Sequence, residues 1–313
     1  MNPAAANGAP PPPPGRRAAA GGPASAAPLV AVVGSVNLDR TLEVEHLPAA
    51  GETIRARHES LAGGGKGANA ALASQLAGAP TALIARVGAD HAAQIALADL
   101  AAAGVATDSV RAVDAPTGSA TILIDARGQN SIVITAGAND RLDARQVHEA
   151  LARLGGLRVV LVNFEIGDDA ILAAAGVAAS RGLKLIVNPA PARALPDRLL
   201  ALSPILTPNE EEIAQLTRLG PDAGARHLCA LTGAPVIVTL GGDGALVVAG
   251  DQVVHLPAPA VTAVDTSGAG DVLNGTLAAS LAVGHDLLDA LASAVQAASQ
   301  STQNSGARLS AVG

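Results

Sequence analysis

Leu29-Val30-Ala31-Val32-Val33-Gly34 is an apolar run closed by glycine, with no polar side chain to turn toward water. A strand wetted on one face alternates apolar and polar residues. A continuous run of this length reads instead as a strand covered on both faces, the habit of parallel sheets. Outward from it, further strands are predicted at Thr81–Val87, Val159–Asn163, Leu183–Val187, Pro204–Leu206 and Val236–Leu240. Helices are predicted at Gly67–Gly78, His91–Ala103, Asp143–Leu154, Asp168–Arg181, Asn209–Leu219, Ala223–Thr232, Asp271–Val283 and Leu287–Thr302. Strand and helix in alternation imply the α/β class, with a mostly parallel central sheet flanked by helices on both faces.

Four β-rich segments break the alternation: Thr41–Glu45, Thr53–Glu59, Gly118–Asp125 and Ser131–Thr135, with Asp125–Asn130 as a hairpin loop. No helix separates the members of either pair. They predict a small second sheet, formed by about residues 41–59 and 118–135, projecting from the main body. Ligands of open α/β sheets sit at the carboxyl ends of the strands. A sheet over that edge would act as a lid that excludes water.

Of the 313 residues, 49% are hydrophobic, but the chain has one Phe and neither Trp nor Tyr, so its core must be aliphatic. The net charge is −7 and no long basic run occurs, which gives a nucleic-acid groove no support. No stretch is apolar and long enough for a membrane span. The single Cys229 has no partner for an internal disulfide, which fits a reducing compartment and a cytoplasmic location. Residues 1–28 are rich in Pro, Ala and Gly, and Pro10–Pro14 can join neither helix nor ladder, so a disordered tail is expected there. Arg16-Arg17 and Ala24-Ser25-Ala26 resemble parts of an export signal, yet the stretch between them is too short and weakly apolar. Residues 29–313 are expected to form the folded domain.

Chemistry concentrates in five segments. Val264–Gly275, containing Gly268-Ala269-Gly270-Asp271, is a glycine-rich turn opening into a helix. Such a turn can aim successive N–H groups, and the positive end of the helix dipole, at one anion. Asp271 at its rim can take a proton from an attacking hydroxyl; it also fits an ordinary N-cap. Leu61–Asn69 carries Gly63-Gly64-Gly65-Lys66. It fails as a P-loop, because Gly67 follows Lys66 and Ser60 occupies the first glycine position. As a dinucleotide fingerprint it follows the wrong kind of strand and lacks the acidic residue downstream. A glycine turn remains, over which a small polar ligand could lie, with Lys66 and Asn69 as hydrogen-bonding side chains. Asn37 and Asp39 follow the first strand and are suited to sugar hydroxyls. Asn209 and Glu212 share the face of a helix start. They fit either a water-mediated Mg²⁺ site or a capping box. Val238–Gly244 is a strand running into a glycine turn that could pass beneath a nucleotide.

Together these segments resemble the ribokinase family, the PfkB carbohydrate kinases, from about Val30 to Ser310. Gly64–Asn69 matches the first family signature and Asp265–Asp271 the second. Pro48–Thr53, Ala136–Asn139, Asn188–Ala192 and Thr207–Glu210 add likeness to the ribose-directed members. The resemblance implies a ribokinase-like three-layer sandwich with a β-sheet lid. It implies ATP-dependent phosphorylation of a sugar primary hydroxyl, most simply that of ribose. Asn37, Asp39, Gly64, Gly65, Lys66, Asn69 and Glu165 would line the sugar pocket. Asp271 would be the base, and Gly268, Ala269 and Gly270 the anion hole. Asn188, Asn209, Thr239, Gly241, Gly244 and Gly270 would lie along ATP. Asn209 and Glu212 would act on Mg²⁺, and Asp265, Ser267, Gly306 and Ser310 would surround an activating K⁺. A homodimer joined through the lid is also implied. Other acceptors remain open: a nucleoside, for which only Phe164 offers an aromatic face, fructose, or a sugar acid, for which Arg86 and Arg127 are the unassigned arginines. So does a sugar-binding protein without catalysis.

Overall fold

The computed structural model describes residues 27–304, 306 and 308; of the tail expected at 1–28, all but Ala27 and Pro28 lie outside them. In chain order the strands are β1 (Val30–Val33), β2 (Asn37–Glu43), β3 (His58–Gly64), β4 (Thr81–Gly88), β5 (Ala106–Val113), β6 (Gly118–Ile124), β7 (Asn130–Thr135), β8 (Val159–Asn163), β9 (Lys184–Asn188), β10 (Ile205–Leu206), β11 (Val236–Thr239), β12 (Ala245–Ala249) and β13 (Gln252–Leu256). The helices are α1 (Lys66–Leu76), α2 (His91–Ala102), α3 (Ala144–Arg153), α4 (Asp168–Ser180), α5 (Asp197–Leu200), α6 (Glu210–Thr217), α7 (Pro221–Thr232), α8 (Ala269–Val283) and α9 (Leu287–Ser301).

β1 lies inside a nine-stranded sheet of order β13-β12-β11-β10-β9-β8-β1-β4-β5, paired in parallel with β4 and β8. Val30 and Val32 face one hydrophobic core, Ala31 and Val33 the other. The unbroken apolar run is what a strand with side chains alternating between two buried faces requires. Helices α1, α2, α8 and α9 cover one face and α3, α4, α6 and α7 the other, giving three layers.

Three strands escape the sequence reading. β5, with its Thr107, Asp108, Ser109 and Arg111, is an edge strand and keeps polar residues toward water. β12 and β13 form an antiparallel hairpin that ends the sheet at its other edge. They follow a glycine turn with no helix between, so strand–helix alternation does not announce them.

The second sheet has the order β3-β2-β6-β7. Its boundaries differ from expectation. β2 already begins at Asn37, and Thr53–Arg57 belong to no strand, β3 running from His58 to Gly64 instead. The first half of the glycine segment is therefore lid strand, and Asn37 and Asp39 are lid residues in ladder register with Gly64 and Ala62.

The scarcity of large side chains allows close helix packing. A Cβ at Gly275 would overlap the Ala70 carbonyl on α1, so α8 and α1 meet almost backbone to backbone. That contact brings Asn69 on α1 next to Asp271 at the start of α8.

Candidate active site

The carboxyl ends of β1, β8, β9, β10 and β11 open toward one side. The residues there are Ser35, Asn163, Asn188, Thr207 and Thr239. Three successive glycines decide what fits between lid and body. A side chain at Gly64 would occupy the space of the Asp39 carboxylate. One at Gly63 would collide with the guanidinium of Arg308. Gly65, the N-cap of α1, sits at φ +90, a region glycine enters freely, and a Cβ there would press on the Asn37 amide nitrogen.

Asn37 is buried, and its Oδ1 accepts a hydrogen bond from Asn139 Nδ2 at 2.8 Å; Asn139 Oδ1 accepts from the Val36 amide at 2.9 Å. Asn139 thus locks the orientation of the Asn37 amide. Asp39 has no hydrogen-bond partner among the described residues. Burial pushes its pKa from 3.8 up to about 6; Glu165 and Asp271 add to the rise and Arg308 opposes it. Glu165 Oε2 accepts from Ser35 Oγ at 2.5 Å and from the Lys66 amide at 3.1 Å, placing its charge at the N-terminus of α1. Its other oxygen is unengaged among the described residues.

Asp271 is nearly fully buried. Its Oδ2 accepts from Asn69 Nδ2 at 2.9 Å, and its Oδ1 lies 4.0 Å from Lys66 Nζ. Burial drives its pKa upward, opposed by Lys66 and Asn69. The Asp271 charge in turn raises the Lys66 pKa, so this lysine stays protonated. A carboxylate raised in this way is a stronger proton acceptor than one in water, while the neighbouring ammonium favours its ionised form.

The turn before α8 behaves partly as expected. Gly268 takes a left-handed φ of 73 at the N-cap. Among the described residues, the amides of Gly268, Gly270 and Asp271 have no hydrogen-bond partner, whereas Ala269 N–H reaches Thr266 O at 3.3 Å. Two members of the expected Gly268–Ala269–Gly270 trio thus have free amides among the described residues, and Asp271 adds a third. The amides open to an anion are those of Gly268, Gly270 and Asp271. Asn274, which sequence reading passed over, holds this turn: its Nδ2 donates to Gly270 O at 2.8 Å and its Oδ1 accepts from Thr207 Oγ1 at 2.6 Å.

Beyond Asp271 lies a cavity of about 750 Å³. Asn188, Asn209, Thr239, Gly241, Gly244 and Gly270 all line it, as do Lys66, Glu212 and Asp271. Ala258, Pro259, Val261, Val295 and Ala298 give the cavity an aliphatic stretch of wall with no aromatic ring. Asn209 and Glu212 do form a capping box: Asn209 Oδ1 accepts from the Glu212 amide at 2.7 Å, and Glu212 Oε2 from the Asn209 amide at 2.8 Å. Of the two arrangements their spacing allowed, the capping box is therefore present. Glu212 nonetheless has its pKa raised by burial and lines the cavity, so its second oxygen suits a hydrated cation. Among the described residues no three His, Cys, Asp or Glu side chains gather as a direct metal cage.

Of the residues expected around K⁺, Asp265 accepts from the amides of Ser267 and Gly306, each at 2.9 Å. Burial raises the Asp265 pKa, but these bonds outweigh it, so the carboxylate stays ionised, with a lone pair left on each oxygen for a cation. Ser310 lies outside the described residues. Arg86 and Arg127 do not reach the pocket: Arg86 pairs with Asp143 and Gln146, Arg127 with Asp125. Phe164 is buried beneath Arg193 and takes no part in the cavity lining.

Residues 27–312 match the pfkB family of carbohydrate kinases. The chain belongs to that family. It is 35% identical to a ribokinase of Bacillus subtilis over 89% of this chain and 94% of that protein. It is 33% identical to a deoxyribokinase of Salmonella typhi, over 90% and 94%. The crystal structure of Arabidopsis thaliana ribokinase, complexed with ribose and ATP, superposes with a TM-score of 0.81 at 31% identity, covering 90% of this chain and 95% of that one. The pfkB kinase described here is therefore an ATP-dependent sugar kinase of ribokinase type. Among its described residues no helix is long and apolar enough to cross a membrane.

Proposed function

We propose that the protein transfers the γ-phosphoryl group of ATP to the 5-hydroxyl of D-ribose, yielding D-ribose 5-phosphate and ADP. One observation carries this reading: Asp271 lines the 750 Å³ cavity and meets Asn69 and Lys66 of the glycine segment, beside three amides that have no partner among the described residues. A hydroxyl placed over Gly64 and Gly65 would meet Asp271 on one side and the phosphate on the other. Asp39, half-buried and without a donor among the described residues, is shaped to accept two neighbouring sugar hydroxyls. Asn37, Gly64, Gly65, Lys66, Asn69 and Glu165 complete that pocket.

In the reaction Asp271 takes the proton of the attacking hydroxyl as the oxygen approaches the γ-phosphorus in line. Negative charge on the transferring group is met by the amides of Gly268, Gly270 and Asp271, the α8 dipole and Lys66. Little covalent work falls to the protein; positioning and electrostatics supply most of the rate. Mg²⁺, held through waters by Asn209 and Glu212, would neutralise charge on the phosphates when bound. K⁺ beside Asp265, Ser267 and Gly306 would stiffen the loop that leads into the turn. The residues at 37–64 and 118–135 serve as the lid.

A homodimer through the lid is supported by β7, an edge strand exposed along its whole length. It presents Ile132 (50%), Val133 (62%) and Ile134 (52%) to solvent. A bare apolar edge of this kind favours pairing with a second copy. We place the enzyme in the cytoplasm, in keeping with its unpaired Cys229.

The deciding experiment is an ADP-release assay with Mg²⁺ over D-ribose, 2-deoxy-D-ribose, D-fructose, a sugar acid and adenosine, with and without K⁺. The highest kcat/KM with D-ribose supports the proposal. A higher value with 2-deoxy-D-ribose, the class of the Salmonella relative, would reassign the substrate. Sugar-dependent thermal stabilisation without turnover would leave only a binding protein.

A further inference from the structure

Arg308 is the strongest feature that the proposed reaction does not use. Its side chain is 5% exposed, and it donates three hydrogen bonds: Nε to Asn69 Oδ1 at 3.1 Å, Nη1 to Ala96 O at 2.7 Å and Nη2 to Gly64 O at 2.9 Å. These acceptors belong to α1, to α2 and to the last residue of lid strand β3. A built seat surrounds the guanidinium, because any side chain at Gly63 would overlap it.

The bond to Asn69 has a chemical consequence. An amide side chain can present either its oxygen or its NH₂ to a neighbour. A guanidinium has only donors, so Asn69 must turn its oxygen to Arg308. Its NH₂ is then aimed at Asp271 Oδ2, 2.9 Å away. Donor-only arginine, two-way asparagine and acceptor-only aspartate form a chain with one consistent direction. Resting on the kinase reading above, we propose that Arg308 is a positioning residue. It fixes the Asn69 amide that orients the base Asp271, and it fastens the root of the lid to the body of the enzyme. Burial lowers the Arg308 pKa, and the charges of Asp99, whose Oδ2 lies 4.0 Å from Nη1, Asp39 and Asp271 oppose that shift. Among the described residues the side-chain partners of Arg308 are Asn69, Ala96, Gly64 and Asp99, none of which lines the 750 Å³ cavity, so its effect belongs to the sugar and the chemical step.

The test is a double-mutant cycle on the full chain with Arg308→Gln and Asn69→Ala, read as kcat and KM for sugar and for ATP, with thermal unfolding alongside. Arg308→Gln should lower kcat/KM for the sugar by roughly 10–10²-fold, the cost of a misplaced reacting group, while the KM for ATP holds. In the Asn69→Ala background the same substitution should lower kcat by less than about threefold, because the effects of groups acting through one another do not add. Arg308→Lys keeps the charge but not the three-way fork, and should recover only part of the loss. Equal kinetics for Arg308→Gln and wild type, or fully additive losses in a folded double variant, would overturn the proposal. A wild-type enzyme inert toward every sugar would instead overturn the kinase reading itself.

Discussion

Replacing Asp39 with asparagine should make the empty enzyme more stable and a worse enzyme. Asp39 lies over Gly64 with no donor among the described residues, and burial holds its pKa at about 6 against an ordinary 3.8. Keeping it ionised at pH 7 therefore costs the folded state up to about 3 kcal/mol, at about 1.4 kcal/mol per pH unit. The sign follows from proton uptake. Between roughly pH 4 and 6 the folded protein holds this proton more tightly than the unfolded chain. Stability from this group is thus greatest below 3.8, falls as pH rises through that window, and is level above about 6. The amide that replaces the carboxylate carries no charge at any pH, so the variant escapes the loss. Its advantage should be near zero at about pH 4, grow toward about pH 6 and stay constant to about pH 8. For a domain this large, about 3 kcal/mol corresponds to a rise in Tm of about 5–10 °C. Thermal or urea unfolding of ligand-free protein across that pH range measures it. Added D-ribose should stabilise the wild type and not the variant. A variant less stable than wild type at neutral pH, or a difference that persists unchanged into the acid range, would refute the reasoning.

Two further outcomes are expected. Asn274→Ala frees the Gly270 carbonyl and lets the turn re-aim its amides; kcat should fall roughly tenfold, less than the roughly 10²–10³ of a deleted donor, as measured by ADP release at saturating substrates. Val133→Lys puts a charge in the middle of the exposed β7 edge; light scattering should find a dimer for the wild type and a monomer for the variant.

Much of the architecture could be read from the chain because its periods are clean. The run at Val30–Val33 announced a strand covered on both faces, and the alanine-rich helices fell within a residue or two of expectation. β5 was hidden because an edge strand can carry Asp108 and Arg111 at no cost, and such a strand reads as loop. The lid strands slid along the sequence because Ser60–Gly64 lacks the bulky residues by which strands are recognised, although the ladder to Asn37–Thr41 holds it extended.

Within the site, residues inside glycine motifs were legible, since a glycine cluster marks close approach of backbone to something. What the glycines make room for was not legible. Gly63 leaves space for Arg308 and Gly64 for Asp39, partners separated from them by the whole fold or by a strand pairing. Arg308 has no local signal at all. Only the tertiary fold brings it to Asn69 on α1 and Ala96 on α2. Asn209 and Glu212 show the opposite difficulty. One spacing served two chemistries, and the backbone amides of the helix start claimed one oxygen of each side chain.

The most direct test is single-turnover and steady-state phosphorylation by Asp271→Asn, with ATP and sugar binding followed separately by calorimetry. Both ligands should still bind the variant while turnover falls by about 10²–10⁴, the worth of a general base. Turnover near that of the wild type would show that the proton leaves the sugar by another route.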